Sequence, residues 1–305
     1  MRRKNRFPVG RWLRAVQIVL LAGGLGAAAG SPTRGVLILR KTDSGSLAEL
    51  ARAVELAFLN RGNEVAPRIM EMSGDPIADG ARLQRESSRT SAVVAVGFDA
   101  TTVAAALGPR IPVVALGVPN PARLKTAGTY FSVYPKLDRV FDLLRRKLGV
   151  DKVGLLFTPA HNREIALAFV KAAGTSGIEI VPMPVSSRGD LVRTLRASVT
   201  SIDALLLATD PILFDSHDLK LIVDETVSAR KPTVGFLPEL VELGVTFCLV
   251  NDPAAVADAA VARAAGPVRI GKQREEVDGV DMIVSHVSAR SLGIDVEGLD
   301  AKTVR

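Results

Sequence analysis

The stretch "SAVVAVGFDATTVAAALGPRIPVVALGVPNP" spans Ser91 to Pro121. Two apolar runs, Ala92–Val96 and Ile111–Leu116, bracket a segment rich in Ala and Thr that suits a helix. The runs are apolar at successive positions rather than alternate ones, which fits strands buried on both faces of a helix-covered parallel sheet. Each run ends in a glycine followed by small polar residues or proline, a turn signal. Such turns are either plain connectors or the wall of a site.

The same alternation extends in both directions. "GVLILR" (Gly35–Arg40) predicts a first strand, Leu47–Asn60 a helix stopped at Gly62, "EVAPRIMEM" a second strand and Ile77–Ser88 a helix. After the opening stretch the pattern restarts. Strands are expected at Lys152–Pro159, "IEIVPMPV", Ile202–Asp210 and "PTVGFLP", with helices at Arg163–Ser176, Asp190–Ser198 and His217–Arg230. The tail adds Val245–Val250, Pro253–Ala265 and Asp281–His286 as strand, helix and strand. The reading is an α/β protein of two doubly wound parallel-sheet lobes. The first lobe takes 34–120 plus about 245–266, and the second 121–244 plus about 267–300. Tail segments that return to one lobe and then the other would make a multi-strand hinge.

Composition bounds the function. A chain of 305 residues with 48% apolar content can bury one large core or two ordinary ones. Aromatics make up only 4%, which disfavours a sugar-stacking cleft or a nucleobase platform. The net charge of +7 is concentrated at the start, where Arg2, Arg3, Lys4, Arg6, Arg11 and Arg14 account for nearly all of it. That distribution argues against nucleic acid as a partner. These basic residues, the apolar run Ala15–Leu25 and "GAAAG" have the parts of a secretory signal over 1–29, cleaved near Ala29. The apolar run is shorter than the roughly 20 residues a spanning helix needs. No cysteine follows it, so a lipoprotein anchor is not expected, and the periplasm is the expected location. Cys248 is the one cysteine and lies within "VTFCLV", which suits a buried small residue.

Enzyme signatures are weak. "GPVRIGKQ" (Gly266–Gln273) has the spacing of a phosphate loop, but it follows a helix and has Gln273 where Ser or Thr belongs. His161, His217 and His286 lack metal spacing, and no Gly-x-Ser-x-Gly elbow occurs. No cofactor or metal is expected. Asp99 reads as an N-cap or as a ligand contact, and a carboxylate there opposes a phosphate. Open parallel sheets bind ligands beyond the C-terminal ends of their strands. The candidates so placed are Thr42, Asp43 and Ser44; Phe98, Asp99 and Thr101; Asn120; His161 and Asn162; Asp210; and Phe236. Asp210 reads as a partner for a ligand amine or as an ordinary turn opener.

The chain resembles the periplasmic solute-binding proteins of the ABC-transporter substrate-binding family that includes aromatic amino-acid binders. The likeness covers Arg34 to about Lys302. It rests on the opening stretch, "GTYFSVYP…LLRRKLGVDKVGLLFTPAHN", "IDALLLATDPILF", "ARKPTVGFLPELVELGVTFCLVNDP" and "VSARSLGID". It implies a type I periplasmic-binding-protein fold with three crossing segments, hinge closure over a small solute, a monomer, and delivery to a membrane permease. By position it adds Phe131 and Ser132 to the cleft, beside Phe98, Thr101, His161, Asn162 and Asp210. A sensor that presents its ligand state to a membrane signalling protein would share these residues, and neighbouring genes would separate the two. An enzyme would need a paired nucleophile and base in the cleft. A transcription factor would need a helix-turn-helix before the first lobe.

Overall fold

A computed structural model of the chain describes residues 35–41, 45–61, 67–124, 128–210, 213, 215–266, 271–299 and 301–304. The expected leader over 1–29 and the candidates Thr42, Asp43 and Ser44 lie outside them. In chain order the elements begin with β1 (Gly35–Lys41), α1 (Ser46–Asn60), β2 (Arg68–Met72), α2 (Pro76–Glu86), β3 (Thr90–Val96), α3 (Phe98–Ala104), β4 (Val113–Val118) and β5 (Gly128–Ser132). There follow α4 (Leu137–Leu148), β6 (Lys152–Phe157), α5 (Pro159–Thr175), β7 (Glu179–Pro184), α6 (Arg188–Ser198), β8 (Ala204–Leu207), α7 (Ser216–Ser228) and β9 (Thr233–Gly235). The tail holds β10 (Phe247–Val250), α8 (Pro253–Ala264), β11 (Lys272–Glu275), β12 (Asp281–Ser285), α9 (His286–Leu292) and β13 (Lys302–Val304).

Two sheets organise these elements. One has the order β11-β5-β4-β3-β1-β2 and the other β13-β12-β10-β9-β8-β6-β7. Every pairing in the first sheet is parallel. The second departs from the expected parallel sheet, because β12 runs antiparallel to β10 and carries β13 with it. Strand residues alternate between two buried faces. Leu37, Leu39, Val93 and Ala95 pack under α2 and α3, whereas Ile38, Val94, Val114 and Leu116 pack under α1 and α8. Burial on both sides explains why the strands read as continuous apolar runs.

The chain passes between the sheets three times, over 132–137, 250–253 and 275–281. Two side-chain contacts cross-link these passages. Asn251 Nδ2 donates to the Ser132 and Val133 carbonyls at 3.1 and 3.4 Å. Lys136 Nζ meets Asp278 Oδ1 at 2.6 Å.

Sheet membership moves the expected lobe boundaries. β5 pairs with β4, which carries the first lobe to Ser132 rather than to 120. β10 pairs with β9 and β12 in the second sheet, so of the tail segment assigned to the first lobe only α8 packs there, against α1. β11 pairs with β5 and returns to the first sheet. The crossings fall at strand ends, without a low-complexity linker to mark them.

Candidate functional site

A cavity of about 320 Å³ opens between the lobes. The start of α1 supplies Ser46, Leu47, Glu49 and Leu50, and the β3–α3 turn supplies Gly97, Phe98 and Asp99. Gly117 and Pro119 at the end of β4 complete this side. Ser132, Val133, Val250 and Asn251 form the floor where the chain crosses, and Thr209, Phe236, Leu237 and Pro238 face them from the second lobe. The lining is mainly apolar, and its charged residues among those described are the exposed Lys41, Glu49 and Asp99.

The opening stretch forms that wall for a steric reason. Gly97 has φ 90°, which favours glycine, and its N–H donates to the Leu116 carbonyl at 2.8 Å. A Cβ on Gly97 would lie 3.1 Å from Leu47 Cδ1, and one on Gly117 would lie 2.8 Å from Leu47 Cδ2. The two glycines leave room for one leucine from α1. Asp99 is not the N-cap of α3, whose cap position is Gly97 with no side-chain acceptor. Its carboxylate stands in the first turn and faces the cavity.

Of the sequence-derived candidates, the structure brings Phe98, Asp99, Ser132 and Phe236 to the cavity. The others are engaged elsewhere. Thr101 is fully buried and its hydroxyl donates to the Gly97 carbonyl at 2.8 Å. Phe131 packs in the core of the first lobe with Val114, Leu116 and Val256. Asp210 and Asn162 are buried, and Asp210 Oδ2 accepts from Thr158 N at 3.0 Å and from Asn162 Nδ2 at 2.9 Å. Asn162 Nδ2 also reaches the Thr209 carbonyl at 3.0 Å. This network holds the β6 and β8 turns together rather than presenting a charge to the cleft. Asn120 and His161 meet outside the cavity, where Asn120 Nδ2 donates to the His161 carbonyl at 2.7 Å. Arg123 Nη1 lies 2.8 Å from His161 Nδ1. They form a bridge from the first lobe to α5 of the second.

Several lining residues escaped the sequence reading. Leu47 and Glu49 lie within the first turn of a helix, past the strand-end turn that drew attention. Thr209 lines the cavity, and its hydroxyl is buried without a hydrogen-bond partner among the described residues. Its N–H donates to the Tyr134 hydroxyl at 3.0 Å. Burial pushes the Tyr134 phenol above its ordinary range, so this group stays neutral. Tyr134 stacks edge-on with Phe169 and Phe236, which fixes the Phe236 wall. Burial, reinforced by the nearby Glu239 charge, likewise pushes the Cys248 thiol up, so it stays protonated and inert.

Solved structures were compared once this geometry was clear. A ligand-free, open substrate-binding protein with adhesive properties from Clostridium difficile superposes with a TM-score of 0.70 at 15% identity, over 90% of this chain and 99% of that one. A domain from Streptococcus pneumonia in complex with L-Trp gives 0.60 at 15% identity, over 89% and 100%. A periplasmic ribose ABC transporter structure from Conexibacter woesei gives 0.53 at 10% identity, over 89% and 99%. The fold is that of the type I periplasmic binding proteins. Neither a family model nor a curated protein matches the chain by sequence. In the type I periplasmic-binding fold of this chain, the cavity lies between the lobes, with two of the three crossings at its floor.

Proposed function

We propose that the chain is an exported solute-binding protein that closes its two lobes over a small amine- or amide-bearing solute and delivers it to an ABC-type permease. The cavity between the lobes carries this reading, with apolar walls from both lobes and the Glu49 and Asp99 carboxylates on one side. The Thr209 hydroxyl adds a hydrogen-bonding group from the other lobe. Contacts from both lobes let a solute favour the closed arrangement, which is how binding becomes closure. The similarity to substrate-binding proteins and to a complex with L-Trp supports the role. Phe98 and Phe236 offer flat apolar contact to the body of the solute, and Ser132 a polar contact at the floor.

A thermal-shift screen over amino acids, amines, small amides, nucleosides, sugars and sugar phosphates tests the reading. An apolar amine is expected to raise Tm, since a solute at 100 times its Kd stabilises by about 2.7 kcal/mol. The Glu49→Gln/Asp99→Asn double variant is expected to lose most of that gain. A response confined to sugars or phosphates would overturn the proposed solute class.

A further inference from the structure

Among the described residues, α1 has no side-chain cap from its own lobe. Gly45, at the N-cap position of α1, offers no side chain to its first turn. Local side chains cap α2, α6, α7, α8 and α9 through Asp75, Ser187, Asp215, Asp252 and Ser285, whereas α3, α4 and α5, like α1, have no side-chain cap at the N-cap position. The Gly45 carbonyl accepts from the N–H groups of Ala48 and Glu49. The N–H of Ser46 instead donates to Oε1 of Glu239, 193 positions along the chain. Glu239 sits on the one-turn helix Pro238–Val241 of the second lobe. The acceptor that α1 needs thus arrives across the cleft, and it is a carboxylate, the charge a helix N-terminus favours.

Gly45 stands directly against this contact. Gly45 has φ 92°, and a Cβ at that position would run into the Glu239 carboxylate. Ser46 and Pro238 both line the cavity, so the contact lies on its rim. The glycine, the missing cap and the opposing carboxylate form one arrangement, although they come from two lobes.

We propose that Glu239 is a latch, a second-lobe carboxylate that caps α1 of the first lobe and closes the cleft with a bond belonging to the protein. The proposal rests on the two-lobed binding reading above and sharpens its solute class. An anionic group on the solute must displace Glu239 to reach the α1 terminus, so the cleft accepts neutral or cationic solutes. Glu49 and Asp99 line the same cavity and favour that selection, with Lys41 the one cation among the described lining residues.

Interlobe distance in the full chain tests the latch with no solute added. Nitroxide labels are placed by Ile77→Cys on α2 and Leu167→Cys on α5, positions 84% and 63% exposed. Cys248 is fully buried and stays unlabelled. Pulsed electron–electron resonance of the parent is expected to give one dominant short distance. Glu239→Ala is expected to raise the ratio of long to short distances roughly five- to tenfold, the effect of losing one helix cap. Glu239→Gln keeps an acceptor without the charge and is expected to fall between them. Should circular dichroism show Glu239→Ala unfolded, the glutamine variant carries the test. A distance distribution for the folded variant that superimposes on the parent's would overturn the latch. No solute enters this measurement, so a chain that failed the amine screen would still report its latch, and a failed latch would leave the screen's outcome standing.

Discussion

At the scale of single residues, hydrogen bonding decides which turn side chains are available. Asp210 ends "ALLLATD" and is fully buried, with its carboxylate accepting from Thr158 N and Asn162 Nδ2. Replacing it with Ala strands two buried donors, each worth about 1–3 kcal/mol. Asp210→Ala is therefore expected to lower unfolding stability in urea by about 2–4 kcal/mol with little change in the slope. A variant as stable as the parent would show that the network is dispensable. Strand-end reasoning led to turns of which some line the cavity, yet it could not separate Asp99, which is among the lining residues, from Thr101, whose hydroxyl bonds back to Gly97. Both are small polar residues in one helical turn, and their difference lies in side-chain direction, which one sequence does not display.

At the scale of elements, the β2–α2 turn shows how a buried charge is kept. Burial pushes the Asp79 carboxyl up, but the Ser73 N–H and hydroxyl, the Gly74 N–H and nearby Arg82 more than offset this, and its pKa is lowered. A carboxyl lowered in the folded state stabilises above its unfolded pKa of about 3.9, and that contribution fades as pH falls through the folded value. Asp79→Asn is expected to be less stable than the parent at pH 7, with the gap narrowing below about pH 4. Melting temperatures across pH 2–7, a range of the order of the carboxylate titration, check this; a constant gap would contradict it. Elements differ in how plainly the sequence shows them. β1, β3, β4, β6 and β8 are legible because both their faces are buried. β11 reads "KQRE" and pairs on one side only, at the sheet edge, so no apolar run marks it. β5, "GTYFS", is short and has no continuous apolar run, so the expected lobe boundary fell before it.

For the whole molecule, the connection between the lobes is a set of three crossings tied to one another. Asn251 joins the first and second through the Ser132 and Val133 carbonyls. Asn251→Ala removes that tie without touching either sheet. Hydrogen exchange over 132–134 and 250–252 is expected to quicken roughly five- to tenfold, with strand amides unchanged. Uniform acceleration across both sheets would instead mean that Asn251 supports global stability. The two-lobed architecture was readable from the repeat of α/β units. The crossing points were not, because the chain changes lobe at strand ends without a low-complexity linker.

The seat that Gly97 and Gly117 make for Leu47 has a consequence for how such a protein diversifies. The depth of the cleft on this wall is set by a removable peg delivered from a neighbouring helix, not by the turns themselves. A lineage can therefore resize its chamber by exchanging position 47 alone, while the sheet, the turns and the crossings keep their form.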